Sequence, residues 1–300
     1  MKKTLASWGE FGLIERIRKR CACPASVVKG PGDDCAVVAR DARSYQLFTC
    51  DMLVEGVDFT SRDDPYLVGR KAVAVSLSDI AACAGVPRYC LVSAGIPAKL
   101  PPRRLMRLFD GMRACLAQFG AALIGGDLSR APVLVLDVSM VGEVEKKNLV
   151  LRSGALPGDL IFVTGPLGGT ISGKHLDFTP RVREARSLRK SYRLHAMIDI
   201  SDGLCQDLGH IMKESGVGAV VYERLLPVRP QARSLDDALC AGEDFELLFT
   251  VSRRDARRLS RERPRRAWCV GEITSASRGL RLIERGGRER RITPRGFRHF

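Results

Sequence analysis

Gly30-Pro31-Gly32-Asp33-Asp34-Cys35-Ala36-Val37-Val38 is the stretch around which the chain is organised. Glycines flanking a proline make a loop, and the apolar run that begins at Ala36 reads as a buried strand. Two acids therefore stand where a flexible loop enters a sheet. Strand side chains alternate, so if the strand already includes them, Asp33 and Asp34 point to opposite faces. One could cap the loop while the other looks into a site. Adjacent acids in a strongly basic chain need an external reason, such as a bound cation. An Asx turn ended by a surface acid fits the same residues, and this stretch alone favours neither.

Repetition breaks the tie. Acids beside small or polar residues recur at the edges of apolar runs: Thr49-Cys50-Asp51, Ser78-Asp79, Gly125-Gly126-Asp127, Asp199-Ile200-Ser201-Asp202 and Gly242-Glu243-Asp244. Strand ends converge on crevices in mixed α/β folds, so these acids can meet. Converging carboxylates without a counter-charge repel one another and raise their own pKa values. Hard divalent ions resolve that conflict, and magnesium shares its oxygen shell with water and substrate phosphates.

Three hundred residues suggest about two domains. The start, Met1 to Leu5, is charged but leads into no apolar segment, so neither a signal peptide nor a membrane span is expected. The ten cysteines form no CxxC pair and the four histidines are too few for a zinc set. Several cysteines (Cys83, Cys90, Cys115, Cys205) lie in apolar runs as small hydrophobes, which fits a reducing cytoplasm. The net charge of +15 is concentrated late, where residues 251–300 hold sixteen arginines, five acids and no lysine. Aromatic interleaving is thin there and no nucleic-acid module appears. A solvated basic face ranks first, steering of anionic small molecules second, and nucleic acid third.

In order, the pattern predicts a short amphipathic helix over 10–20, a strand through Val38, and another from Tyr45 to Cys50 that Asp51 ends. A loop with apolar anchors follows to Phe59. Asp63 or Asp64 before Pro65 starts a helix that runs to about Ala84 and stops at Gly85. Its second half is apolar nearly all round, so an aspartate there, Asp79, is costly without a cation or donors. A strand over 88–96, a helix over 101–119, a strand over 121–124 closed by Gly125-Gly126-Asp127, and a strand over 133–141 complete an α+β first domain, 1–144. The remainder, 145–300, reads as a second α/β domain. Gly168 to Lys174 matches GxxxxGK, but His175 stands where a P-loop needs a hydroxyl, so the match is a near-miss: a glycine-rich turn and helix start. Strands are expected over 160–164, 195–200, 217–222 and 245–251, and helices from Ser201 or Asp202 as cap to Gly216 and over 236–240. A helix and two strands follow to the end.

Several of these motifs, in register over nearly the whole chain, resemble the thiamine-monophosphate kinases. They are Gly32-Asp33-Asp34, Thr49 to Phe59, Ser76 to Ala82, Gly125-Gly126-Asp127, Leu151 to Ala155, Ile198 to Leu204 and Gly242 to Leu247. That family belongs to the aminoimidazole-ribotide-synthetase-like ATP users. The resemblance implies an N-terminal mixed-sheet domain that forms a homodimer, an α/β C-terminal domain, and ATP with several magnesium ions between them. By position it gives metal roles to Asp34, Thr49, Cys50, Asp51, Asp79, Asp127, Asp199 and Asp202. It gives ATP contacts to Gly126, Asp127, Arg152 and Ser201. Asp58, Glu243 and Phe297 fall at the thiamine-phosphate site. The family usually carries histidine where this chain has Asp58 and a hydroxyl residue where it has Cys50; the latter can still offer its backbone carbonyl.

The implied reaction is transfer of ATP's γ-phosphoryl to thiamine monophosphate, giving thiamine diphosphate in the cytoplasm. The acceptor is already anionic, so no general base is needed and catalysis rests on positioning and charge neutralisation, with Asp51 and Asp127 central. The rival readings are another ATP-using synthase or kinase of the same group and a non-catalytic basic nucleic-acid binder. No membrane partner is implied.

Overall fold

A computed structural model describes residues 7–262 and 267–299. In the first half the elements are α1 (Glu10–Arg18), β1 (Val27–Lys29), β2 (Ala36–Ala39), β3 (Ser44–Val54), α2 (Pro65–Ala82), β4 (Val86–Ile96), α3 (Pro102–Gln118), β5 (Ala122–Arg130) and β6 (Val135–Glu145). The strands form one sheet in the order β1-β2-β3-β6-β4-β5, antiparallel except for the parallel pair β4–β5. In the second half follow β7 (Leu160–Val163), α4 (Val182–Ser191), β8 (Leu194–Asp199), α5 (Leu204–Ser215), β9 (Val217–Tyr222), α6 (Leu235–Cys240), β10 (Leu247–Val251), α7 (Arg253–Leu259), β11 (Trp268–Ser275), β12 (Leu280–Ile283) and β13 (Glu289–Arg291). Their sheet runs β13-β12-β9-β11-β7-β10-β8. The fold is thus two mixed sheets with helices packed on them. No helix among the described residues is long and apolar enough to cross a membrane. Met1 to Leu5 and Phe300 lie outside the described residues.

Helix α2 is the axle. Asp64 caps it by accepting from the Tyr66 N–H at 3.0 Å, Pro65 presets its first turn, and all but four of its eighteen residues are buried. It packs on α3 and on β3, β6 and β4 of its own sheet, and also touches α4 and β8 of the other half. Three of its polar side chains, Arg70, Lys71 and Ser78, reach residues of the second half.

Several elements differ from the sequence expectation. β3 does not end at Asp51: β6 runs beside it as far as the Val54–Val135 pair, so ladder hydrogen bonds carry the strand on. β5 likewise passes through Gly125-Gly126-Asp127 to Arg130. The glycines admit the neighbouring strand rather than closing this one, because a Cβ on Gly126 would collide with the Val92 carbonyl of β4. Neither Ser201 nor Asp202 caps α5. Its N-cap is Gly203, and the Asp207 carboxylate of the first turn reaches back to the N–H groups of Asp202 (3.2 Å) and Gly203 (3.0 Å). The 168–174 stretch makes one 3-10 turn, Thr170–Ser172, and no α-helix starts there; the next begins at Val182. α4 had no sequence-level expectation.

Candidate active site

Alternation along β3 sends Leu47, Thr49, Asp51 and Leu53 toward α2, and Phe48, Cys50 and Met52 outward. The hydroxyls of α2 meet this row. Ser76 donates to Asp51 at 2.6 Å, and Thr49 donates to Asp79. From the other domain, Asp199 at the end of β8 accepts from Ser78 at 2.6 Å. The loop before β2 brings Asp34. Asp34, Asp79 and Asp199 each offer an oxygen within 4.8 Å of the others. Three acids from three distant segments and both domains therefore share one point in space.

Asp33 and Asp34 do not diverge as strand alternation would have it, because both lie in the loop before β2. Both turn to Arg152. Its backbone N–H donates to Asp33 at 3.2 Å, and its guanidinium donates to Asp34 at 2.7 and 3.3 Å. The second oxygen of Asp34 is buried without a partner.

The electrostatics are those of a crowded, buried carboxylate cluster. Burial, reinforced by the Asp34 charge, pushes Asp33 up to about 7 and Asp199 up to about 8. Burial raises Asp51 to about 6, with Asp137 and Asp34 adding to it. Asp79 is driven well above the carboxylate range by burial and by Asp51, Asp199 and Asp34 around it. Burial works against the Arg152 charge, yet Asp34 and Asp33 hold it protonated, above the usual arginine value. The donor set fits magnesium: hard oxygen ligands, crowded and under-compensated, with one orphaned oxygen.

A second group, Asp202, Asp207 and His210, also converges within 4.8 Å. Burial and Glu10 raise Asp202 to about 6, while burial and Arg152 hold the His210 imidazole down at about 4. Two of the groups expected at the substrate end, Phe297 and Glu243, bond to the backbone beside it, and Asp58 reaches Glu243 through Lys71. The Phe297 N–H donates to the Asp202 carbonyl at 3.0 Å, and the Glu243 N–H to that of Ser201 at 2.7 Å. The Phe297 ring remains exposed. The Asp58 carboxylate accepts from the Val54 N–H at 2.7 Å, and its carbonyl accepts from Lys71 at 2.8 Å.

Cys50, Asp127 and Gly126 stand apart from the carboxylate cluster. Cys50 faces outward, its thiol raised by burial and by Asp137 and Asp51. Asp127 is exposed on the edge strand β5, in register with Ser93 and Asp137. Three inter-strand steps at about 4.8 Å put it about 14 Å from the β3 row. Gly126 is beside it on β5. Lys174 of the GxxxxGK stretch is not free for a phosphate: its ammonium donates to Glu246 at 2.9 Å and to the Asp244 carbonyl at 2.6 Å. Sequence reasoning assigned no role to Lys71, Ser76, Ser78 or His210. A lysine inside the apolar run of α2 was the available signal for the first.

The crowding predicts how the metal-free protein responds to pH. Groups whose folded pKa exceeds the unfolded value stabilise the fold when protonated and lose that contribution as pH rises through the folded value. For Asp51, Asp33 and Asp199 the window runs from about 4 up to about 8. In chelator, the unfolding midpoint should fall by several degrees between pH 5 and pH 8.5, and millimolar magnesium should remove most of the difference. Calorimetric scans check this; a midpoint that rises with pH in chelator contradicts the cluster's electrostatics.

Comparison with known proteins agrees with this geometry. The N-terminal domain of AIR synthase related proteins matches residues 32–144, and the C-terminal domain of the same proteins matches residues 157–282. Thiamine-monophosphate kinase of Buchnera aphidicola subsp. Schizaphis graminum is 34% identical, over 98% of this chain and 99% of its own. That of Bacillus subtilis is 34% identical, over 84% of this chain and 86% of its own. A solved structure described as AaThiL complexed with AMPPCP and TMP superimposes with a TM-score of 0.86 at 29% identity, covering 100% of both chains. Fold and site thus define a two-domain protein of the AIR-synthase-related class. Within that class, the chain belongs to the thiamine-monophosphate kinase family.

Proposed function

We propose that this chain transfers the γ-phosphoryl group of ATP to the phosphate of thiamine monophosphate, with magnesium ions held by Asp34, Asp51, Asp79 and Asp199. The observation that carries the reading is the meeting of Asp34, Asp79 and Asp199 from both domains within 4.8 Å. Bound magnesium would supply charge neutralisation for the triphosphate and the developing leaving group. The chain's own work is positional. Thr49, Ser76 and Ser78 fix the carboxylates of Asp79, Asp51 and Asp199, and Arg152 holds Asp34 while remaining cationic. Gly126, Asp127, Arg152 and Ser201 are assigned to ATP, with Thr49, Cys50, Asp127 and Asp202 as further metal contacts. Asp58, Glu243 and Phe297 are assigned to the thiamine phosphate, with the exposed Phe297 ring available to stack. The acceptor phosphate needs no proton removed, so no residue serves as general base.

The outer face of the first sheet supports a homodimer. Phe48, Met52, Tyr89 and Leu91 are all exposed on this face of β3 and β4, an apolar surface that a second copy would cover. The same face carries Asp127, so dimerisation is the route by which that acid would reach a metal. The domain boundary is assigned to the end of β6, near residue 144. All ten cysteines are free thiols, in keeping with a cytoplasmic enzyme.

The test is incubation with magnesium, ATP and thiamine monophosphate, followed by separation of the thiamine phosphates. Thiamine diphosphate should accumulate in step with ADP; ATP turnover without it would overturn the reading. Asp127→Asn should lower kcat by about 100-fold or more while native mass spectrometry still shows a dimer. Unchanged kcat would remove Asp127 from the metal set.

A further inference from the structure

We infer that Lys71 is a positioning residue for the thiamine-phosphate end of the site, a strut that sets Glu243 and the residue-58 turn against each other. The inference deepens the proposed function and rests on its assignment of Glu243 and Asp58.

Lys71 is 1% exposed, among the largest fully buried side chains of the molecule, and it stands on α2 between the buried Arg70 and the apolar second half of the helix. A buried ammonium persists only when paired and hydrogen-bonded. Here both conditions are met by groups at the substrate end. Lys71 forms an ion pair with Glu243, whose side chain is 31% exposed, and donates to the Asp58 carbonyl at 2.8 Å. The Asp58 carboxylate is occupied by its own turn through the Val54 N–H. What residue 58 offers the strut is therefore its backbone.

The partner segment needs such a strut. Glu243 and Phe245 both have positive φ, 56° and 49°, a region that side chains rarely adopt. Strained backbone of this kind persists where its surroundings over-determine it, and it concentrates at ligand sites. The surroundings here are the Ser201 carbonyl on the Glu243 N–H, the Gly168 N–H on Asp244, the Thr170 hydroxyl on the Gly242 carbonyl, and Lys71 on the Glu243 side chain. Of these, the ion pair alone reaches across from the first domain. Lys71 thereby ties two loops of different domains into one wall, and it does so from a helix whose next turns carry Ser76, Ser78 and Asp79.

Lys71→Met keeps the length of the side chain and removes the charge; Lys71→Arg keeps the charge; Glu243→Gln breaks the pair from the other side. Full-length wild type and variants are compared by steady-state kinetics with each substrate varied, and by calorimetric titration with thiamine monophosphate. K71M should raise KM for thiamine monophosphate by about 30-fold and weaken its binding by a similar factor, with KM for ATP within about twofold of wild type. K71R should recover part of the loss. E243Q should move the same parameter, and the double variant should be no worse than the worse single one. A fall in kcat with both KM values unchanged, or an equal rise in both, overturns the proposal. If K71M does not fold, E243Q decides: Lys71 keeps its bond to the Asp58 carbonyl there, and an unchanged KM for thiamine monophosphate is disproof. Wild type that neither binds nor converts thiamine monophosphate removes the functional reading and this inference together. Active wild type with unaffected variants removes this inference alone.

Discussion

Asp79→Asn should lower kcat by about 10³-fold, equivalent to about 4 kcal/mol of transition-state stabilisation, and should make the metal-free protein harder to unfold. Both effects have one cause. Asp79 is half-buried on α2, accepts from Thr49, and faces the charges of Asp51, Asp199 and Asp34. An amide preserves the shape and the Thr49 contact but removes one of the negative charges that the proposed magnesium ions would neutralise. Without metal the same charge is a source of repulsion, so its loss relieves the fold. Steady-state rates at saturating substrates and calorimetric scans in chelator measure the two halves. A variant with near-normal turnover, or one destabilised in chelator, would show that Asp79 is a structural acid.

Arg152→Met should have the opposite effect on the fold. The guanidinium and backbone N–H of Arg152 compensate Asp34 and Asp33, with Lys29 a more distant partner of Asp33 at 3.7 Å. Removing the guanidinium leaves the buried Asp34 carboxylate without its cationic partner, a defect that costs about 3–5 kcal/mol. For a chain of this size that is on the order of 10 °C in unfolding midpoint. The loss should shrink at pH 5.5, where Asp33 accepts a proton, and grow at pH 8. Magnesium should offset part of it by supplying the missing positive charge. Denaturant titrations at the two pH values give the comparison, and a loss independent of pH would mean that Arg152 acts through packing.

Most of the architecture was legible because periodicity and punctuation are local. Asp64-Pro65 and Gly85 bracket α2 as expected, and the apolar runs of β3, β4 and β6 are strands. Errors arose where the deciding partner is far along the chain. Nothing in Met52-Leu53-Val54 says that β6 will pair with it, and Gly125-Gly126 reads as a turn until β4 is seen to lie against it. The site followed the same division. Asp79 stood out because an acid in a helix apolar all round needs a reason, and Asp34, Asp51 and Asp199 were marked by the edges of apolar runs, although β3 continues past Asp51. Lys71, eight residues earlier in the same helix, presented the same anomaly with the opposite sign. Its partners, Asp58 and Glu243, lie in separate segments, so its role could not be read from spacing. Asp127 shows the limit from the other side: its motif is clear, but its place on an exposed edge strand depends on tertiary pairing.

The most direct measurement of the central claim is calorimetric titration of magnesium into the wild-type chain with a non-hydrolysable ATP analogue present, repeated with Asp79→Asn and Asp199→Asn. If carboxylates of both domains share these ions, wild type will take up magnesium and each variant will bind it at least tenfold more weakly. Equal magnesium uptake by all three proteins would contradict the account.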